Sequence, residues 1–151
     1  MRSQKGQQYG YMYMTLRLFK FDEKGSFEFF GNDHAEPFIC RADTGNIELI
    51  PSSGFLVGIM KEAINSDISF SFHLNSGDIL VLYSDGITEA IKEIESDNID
   101  KYMFGEDRLY SIVQKERHKT PTEIIDLVIK EVESWMSVQV DDMSIMVIKK
   151  K

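Results

Sequence analysis

The chain has 151 residues, of which 42% are hydrophobic and 28% are charged, as is ordinary for a soluble globular protein. This length suffices for one domain with a hydrophobic core. The net charge of −8, from 17 basic and 25 acidic residues, argues against nucleic acid or an anionic membrane as a partner. The one cysteine, Cys40, cannot form an internal disulfide, which favours a reducing compartment and a buried structural role.

No apolar stretch reaches the roughly 18 residues that are needed to span a membrane. The N-terminal residues lead into no apolar signal-peptide core. We therefore expect a cytoplasmic protein.

The first half of the chain has the composition of β-strands. Aromatic and β-branched residues at 11–21, a turn at 22–25 and a returning run at 26–30 predict a β-hairpin. Further strands are predicted at residues 37–41, 47–50, 68–74 and 79–83. The last two are expected to pair with each other through a turn at residues 75–78.

The strand at residues 79–83 is the most informative, because five consecutive apolar or aromatic residues predict burial on both faces. Ser84, Asp85 and Gly86 follow it directly. A carboxylate is therefore placed at the end of a buried strand, beside a residue that lets a ligand approach the backbone closely.

Two helices are predicted after an acidic, aperiodic stretch at residues 91–102. The first covers residues 106–117, and the second runs from 121 to about 137. Thr120 and Glu123, with a proline between them, are typical of a helix start with a capping box. The apolar residues expected to face the core are Leu109, Ile112, Val113, Ile124, Val128, Val132 and Trp135. Trp135 and the eight methionines are interpreted as core residues.

Near the C-terminus the acids come first, because Asp141 and Asp142 precede an apolar run at 143–148 that predicts the final strand. If this strand is an antiparallel neighbour of residues 79–83, Asp85 and Asp141 lie at the same edge of a sheet. Carboxylates delivered by two strands are ligands that Mg²⁺ or Mn²⁺ prefers. Taken singly, each acidic segment is also explained by ordinary turn chemistry.

Together these segments resemble the metal-dependent PPM (PP2C-like) serine/threonine phosphatases, and most of all their bacterial branch of sporulation stage II E proteins and sigma-factor regulators. The segments that carry the resemblance are YSDGITEA at 83–90, DDMS at 141–144, YMTL at 13–16, GNDHAEP at 31–37, GI at 58–59 and FGEDRL at 104–109. The resemblance runs from about residue 9 to residue 148 and corresponds to the C-terminal part of that family's domain.

The resemblance implies an α+β fold, a PP2C-like sandwich of two antiparallel sheets flanked by helices with its N-terminal part missing. Residues 1–151 would form a single domain, the C-terminal portion of a PPM-type phosphatase domain. By the family's motif, Asp85 and Asp141 are the metal-binding and catalytic residues. Asp142 is expected to contact the metal ligands rather than the metal.

The resemblance also implies an activity, which is hydrolysis of phosphoserine or phosphothreonine on a protein by water activated by Mn²⁺ or Mg²⁺ at a two-metal site. The expected partner is a phosphorylated protein substrate such as an anti-sigma-factor antagonist. A homodimer is an open alternative to a monomer.

The remaining polar residues near these motifs receive structural interpretations. His34 is interpreted as a turn residue, and His73 and His118 as surface residues. Glu89 is interpreted as a helix-start or network residue. Ser84 and Ser144 have no histidine partner that would indicate a serine nucleophile.

The chain departs from the family's pattern in lacking its N-terminal metal motifs, a Gly-Asp followed by an aromatic residue and an Asp-Xaa-Xaa-Gly-His-Gly-like segment. Two acids are too few to hold two hard cations. We therefore expect weak metal binding and little or no phosphatase activity from residues 1–151 alone, with self-association favoured by an uncovered sheet edge or core face. The alternatives are a catalytically incomplete phosphatase-like module that binds a partner and a plain metal-binding β-domain.

Overall fold

The computed structural model describes residues 14–32, 35–51, 70–92, 102–137, 139 and 141–151. Over these ranges the backbone forms seven β-strands and three α-helices. The strands are β1 (Leu16–Phe21), β2 (Ser26–Asn32), β3 (Phe38–Cys40), β4 (Ile47–Leu49), β5 (Phe70–His73), β6 (Ile79–Tyr83) and β7 (Ile145–Lys149). The helices are α1 (Asp85–Thr88), α2 (Glu106–Glu116) and α3 (Pro121–Trp135). Three predictions concern residues outside these ranges: the turn role of His34, the motif at residues 58–59 and most of the acidic stretch at 91–102.

The strands form two antiparallel sheets, which confirms the α+β prediction. One sheet has the order β1-β2-β5 and the other has the order β4-β3-β6-β7. The predicted hairpin is β1 and β2, paired from Leu16 opposite Asn32 to Phe21 opposite Phe27. Its turn is closed by the Asp22 carboxylate, which accepts hydrogen bonds from the N–H groups of Lys24 at 2.9 Å and Ser26 at 2.8 Å.

The predicted pairing of residues 68–74 with 79–83 is wrong. β5 pairs with β2, with Phe72 opposite Phe27, whereas β6 lies between β3 and β7. The connecting turn does not return the chain as a hairpin, because the Asp78 carboxylate accepts from the N–H groups of Asn75 at 2.9 Å and Ala42 at 2.8 Å. This network carries the chain from one sheet to the other.

Two apolar cores result from this arrangement. Between the sheets lie the buried side chains of Phe27, Phe29, Ile39, Ile50, Leu74 and Leu80. Between the four-stranded sheet and the helices lies a second core that includes Phe38, Cys40, Ile79, Val81, Leu109, Val113, Ile124, Val128 and Val132. Because β6 contributes to both cores, its nearly complete burial follows, as predicted. Cys40 is buried, as predicted.

The helices begin where the sequence predicts. α2 starts at Glu106, and α3 starts after Thr120, whose hydroxyl accepts from the Glu123 N–H while the Glu123 carboxylate accepts from the Thr120 N–H at 2.9 Å. None of the helices in the described ranges is long and apolar enough to cross a membrane.

The assignment of all methionines to the core is wrong, whereas Trp135 packs against the core beside the helices, as predicted. Trp135 is only half-buried, and Met14 and Met146 are 53% and 55% exposed. Met146 is an exposed side chain on β7, which is the last strand in the order of its sheet. Trp135 is the last residue of α3.

Candidate functional site

The last residue of β6 lies beside the first residue of β7. These strands are antiparallel, and their register runs from Ile79 opposite Lys149 to Tyr83 opposite Ile145. Asp85 follows the end of β6, and Asp141 precedes the start of β7. The structure therefore confirms the predicted pairing and brings both acidic segments to one edge of the four-stranded sheet.

Ser84 joins the two segments. Its backbone N–H donates to the carbonyl oxygen of Ser144 at 2.9 Å, and its hydroxyl donates to the carbonyl oxygen of Asp142 at 3.0 Å. The N–H of Ser144 donates back to the Ser84 hydroxyl oxygen at 2.9 Å. Because a side chain takes the place of a backbone partner, β7 begins at Ile145 rather than at the predicted residue 143.

Gly86 allows the segments to approach closely. A Cβ at this position would overlap the carbonyl oxygen of Asp142 and would lie 3.2 Å from the carbonyl oxygen of Asp141. Any larger residue would therefore push the two segments apart. The sequence predicts that this glycine lets a ligand approach the backbone closely. In the structure, the group that approaches is the chain's own backbone at Asp142.

The acidic residues before β7 are exposed. The Asp141 carboxylate accepts a hydrogen bond from the N–H of Asp142 at 2.7 Å, and its carbonyl oxygen accepts from the side-chain amide of Gln139 at 3.1 Å. Asp142 contacts Ser84 through its carbonyl oxygen. We expect the Asp85 and Asp141 carboxylates to lie within about 6 Å of each other, close enough to share a divalent ion or its bridging water, and this separation stays a prediction.

A hollow of about 430 Å³ opens beside Asp85. Its walls carry two further carboxylates, those of Glu89 and Glu106. The other residues that line it are Ala35, Thr88, Met103 and Gly105. Glu89 follows α1, and its N–H donates to the Asp85 carbonyl oxygen at 2.8 Å. Glu106 was not anticipated as a site residue, because it reaches the hollow from α2, distant in sequence; its only signal is the motif at residues 104–109.

These oxygen donors are of the type that fits Mn²⁺ or Mg²⁺, which take carboxylate and carbonyl oxygens. Three carboxylates around one hollow also repel one another unless a cation is bound between them. Within the described ranges, however, no three His, Cys, Asp or Glu side chains converge closely enough to hold an ion by themselves. The described residues therefore fit a divalent ion as part of a ligand set.

Tyr83, Ser84, His73 and His118 are not among the residues that line the hollow. Burial raises the pKa of Tyr83 far above its usual value, so its phenol stays protonated. His73 is exposed and bonds to the Ser26 hydroxyl at 3.2 Å, and His118 is exposed as well, as predicted. The Ser84 hydroxyl is committed to the backbone.

Comparison with known proteins gives a family match over the whole chain. The model of the family described as stage II sporulation protein E (SpoIIE) matches residues 1–151. A search of curated proteins finds no match.

Solved structures match the fold. The phosphatase domain of SpoIIE from Bacillus subtilis, from a crystal described as presoaked with Mn, is 26% identical with a TM-score of 0.62, and the match covers 90% of this chain and 56% of that one. A longer SpoIIE structure from the same organism, with the PP2C phosphatase domain and part of the regulatory domain, is 29% identical with a TM-score of 0.63 and coverages of 89% and 38%. The SiaA-PP2C domain of Pseudomonas aeruginosa has 13% identity, a TM-score of 0.63 and coverages of 85% and 48%.

These matches confirm the PP2C-like fold. The chain spans little more than half the length of the phosphatase-domain structure.

Proposed function

Because the chain belongs to the SpoIIE family, we propose that it acts as a metal-dependent protein serine/threonine phosphatase. The observation that carries this proposal is the β6–β7 register, which brings the Asp85 and Asp141 segments to one sheet edge. In this proposal residues 1–151 form one domain that corresponds to the C-terminal portion of a PPM-type phosphatase domain. The substrate is a phosphorylated regulatory protein, such as an anti-sigma-factor antagonist.

Asp85 and Asp141 are the proposed metal ligands. When bound, a pair of Mn²⁺ or Mg²⁺ ions would lower the pKa of a water molecule and neutralise phosphoryl oxygens during in-line displacement. The carboxylates of Asp85, Glu89 and Glu106 give the hollow a negative wall, which repels a phosphate group unless a cation intervenes. Substrate binding in the hollow therefore depends on the metal.

The other residues of the site act on position and access. Ser84 holds the chain after β6 against the chain before β7, and Gly86 leaves room for the Asp142 carbonyl. Holding reacting groups in a fixed geometry is a large part of catalysis by such sites. The Ser84 hydroxyl is engaged with the Ser144 N–H and the Asp142 carbonyl, and the proposed reaction passes through no covalent bond to the protein.

The alternative function is that of a phosphatase-like module that binds a phosphoprotein without turning it over. Self-association stays a prediction; the exposed Leu16 and Leu18 on the edge strand β1 support it.

A phosphopeptide assay with millimolar Mn²⁺ separates these functions. The full chain, Asp85→Asn and the control Asp126→Asn, which changes an exposed acid on α3, are compared. The phosphatase proposal predicts slow, Mn²⁺-dependent release of phosphate that Asp85→Asn abolishes and Asp126→Asn leaves intact. Equal background rates from all three proteins, with phosphopeptide still bound, would contradict it and support the binding module.

A further inference from the structure

The motif at residues 104–109 has no role in the proposed chemistry beyond the carboxylate of Glu106. Within this motif, we propose that Arg108 is a positioning residue that clamps the Tyr102–Gly105 segment against the chain after Asp85 and so fixes one wall of the acidic hollow. The clamp is defined as the Arg108 guanidinium together with the Trp135 indole. Its importance for activity rests on the proposed function, whereas its mechanical role does not.

The clamped segment runs beside the residues that follow α1. The N–H of Lys92 donates to the Tyr102 carbonyl oxygen at 3.0 Å, and the N–H of Phe104 donates to the Ala90 carbonyl oxygen at 2.8 Å. The N–H of Gly105 then donates to the Thr88 carbonyl oxygen at 2.8 Å. These bonds connect the segment to the same short stretch that carries Asp85 and Glu89.

The clamp binds the carbonyl groups of the segment, including the Tyr102 carbonyl that also accepts from Lys92. The Arg108 guanidinium donates through one nitrogen to the carbonyl oxygens of Phe104 at 2.6 Å and Met103 at 3.3 Å. The Trp135 indole N–H donates to the Tyr102 carbonyl oxygen at 3.0 Å. Three successive carbonyl groups are therefore bound by two side chains from two helices.

Contact between the two side chains makes them one unit. The Arg108 guanidinium carbon lies 3.9 Å from the centroid of the Trp135 ring, which is close enough for cation–π attraction. Phe104 is 2% exposed, and its ring meets that of Trp135 edge-on at 6.4 Å between centroids. Lys92 lies over the Trp135 ring at 5.2 Å.

The segment lies between the clamp and the hollow. Met103, Gly105 and Glu106 line the hollow, whereas Phe104 points to Trp135. A displacement of the segment would move the Glu106 carboxylate and release the N–H groups bound to Thr88 and Ala90. Trp135 packs against the core and also reaches the segment through its indole N–H.

Amide hydrogen exchange on the full chain tests the clamp. The proteins are the wild type, Arg108→Ala, Arg108→Lys and the control Arg117→Ala. Arg117 is a matched control because its guanidinium binds the carbonyls of Gln114 and Ala42 near the other end of α2. Emission of Trp135, the one tryptophan, gives a second signal, and Mn²⁺ titration gives a third.

The clamp predicts faster exchange, by at least about tenfold, at the amides of Phe104, Gly105 and Glu89 in Arg108→Ala only. Emission of Trp135 shifts to the red, Arg108→Lys restores part of both signals, and the thermal midpoint falls no more than in Arg117→Ala. Exchange that is equal in the two alanine variants, or that rises at Phe104 and Gly105 without rising at Glu89, would overturn the proposal.

The Mn²⁺ titration keeps the two proposals apart. A wild-type chain that binds no Mn²⁺ contradicts the proposed function, while the exchange rates still decide the clamp. If the wild type binds Mn²⁺, Arg108→Ala is expected to weaken binding several-fold relative to Arg117→Ala.

Discussion

Ser84 and Ser144 exchange two hydrogen bonds, one between their backbones and one from the Ser144 N–H to the Ser84 hydroxyl oxygen, each 2.9 Å long. The same hydroxyl donates to the Asp142 carbonyl at 3.0 Å. The ladder between β6 and β7 is thereby extended by a side chain beyond the last paired residues. The two acidic segments are held together before any metal binds.

Removal of this hydroxyl tests the link. Ser84→Ala is expected to lower the free energy of unfolding by about 1–2 kcal/mol, because the Asp142 carbonyl and the Ser144 N–H each lose a partner. Mn²⁺ affinity should fall as well, because the two acids are less firmly held. Urea denaturation and Mn²⁺ titration measure both effects.

Ser144→Ala is the matched control, because Ser144 takes part through its backbone. It should change stability by less than about 0.5 kcal/mol. Equal losses in the two variants would show that the Ser84 hydroxyl does not join the segments.

Asp78 anchors the turn that carries the chain between the sheets and gives stability a pH dependence. Its side chain is 2% exposed, and Arg41 donates to it at 2.7 Å. Burial raises the pKa of this carboxyl, but the Ala42 N–H and the Arg41 guanidinium outweigh that effect and hold it below its usual value. Its stabilising contribution is therefore complete above the unfolded-state pKa of about 3.9 and is lost as the pH falls through the lower folded-state value.

Asp78→Asn is expected to lower the free energy of unfolding at pH 7 by about 2–3 kcal/mol, because bonds to a charged acceptor are lost. Urea denaturation at pH 7 and at about pH 3 should show the gap to wild type narrowing in acid. Asp126→Asn, at an exposed position, serves as control and should show little change at either pH. A gap for Asp78→Asn of the same size at both pH values would contradict the assignment.

The start of α3 is a capping box between Thr120 and Glu123. Thr120→Ala is expected to cost about 1 kcal/mol, because the N–H of Glu123 loses its side-chain acceptor. Thr122→Ala changes an exposed threonine in the same turn and should cost less than half as much. Thermal unfolding of both variants measures the difference, and equal effects would mean that helix propensity rather than the cap is decisive.

The two ends of α3 contribute differently to stability. Ile124 is fully buried, so Ile124→Ala is expected to cost about 2–5 kcal/mol. Trp135 is half-buried, so Trp135→Ala should cost less than the roughly 3–5 kcal/mol of a buried tryptophan. Chemical denaturation compares the two variants, and a larger loss for Trp135→Ala would show that the indole supports the core.

Features that depend on neighbouring residues were predictable from the sequence. The hairpin turn at Asp22, the capping box at Thr120 and the burial of β6 each follow from a few consecutive residues. The meeting of the Asp85 and Asp141 segments was also predictable, because two apolar runs with acids at opposite ends align them when they pair antiparallel. Features that depend on side-chain contacts between distant residues were not.

The misassigned partner of β5 illustrates the limit. The alternating apolar and polar residues of β5 and the turn after it are typical of a hairpin. The Asp78 carboxylate instead accepts bonds from Arg41 and Ala42, and β6 lies in the other sheet. Glu106 reaches the hollow for a similar reason, since α2 is placed by packing. The contacts of Trp135 with the Arg108 guanidinium and with the Tyr102 carbonyl were not predictable either, because neither contact has a signal in the sequence.

The central claim is that Asp85 and Asp141 bind the same divalent ion, and a double-mutant cycle on Mn²⁺ affinity tests it most directly. Mn²⁺ binding is measured for the full chain, Asp85→Asn, Asp141→Asn, the double variant and the control Asp126→Asn. A shared ion predicts that each single variant weakens binding at least about tenfold and that the double variant is little weaker than either. Losses that simply add, or single variants that bind Mn²⁺ as tightly as Asp126→Asn does, would contradict a shared site.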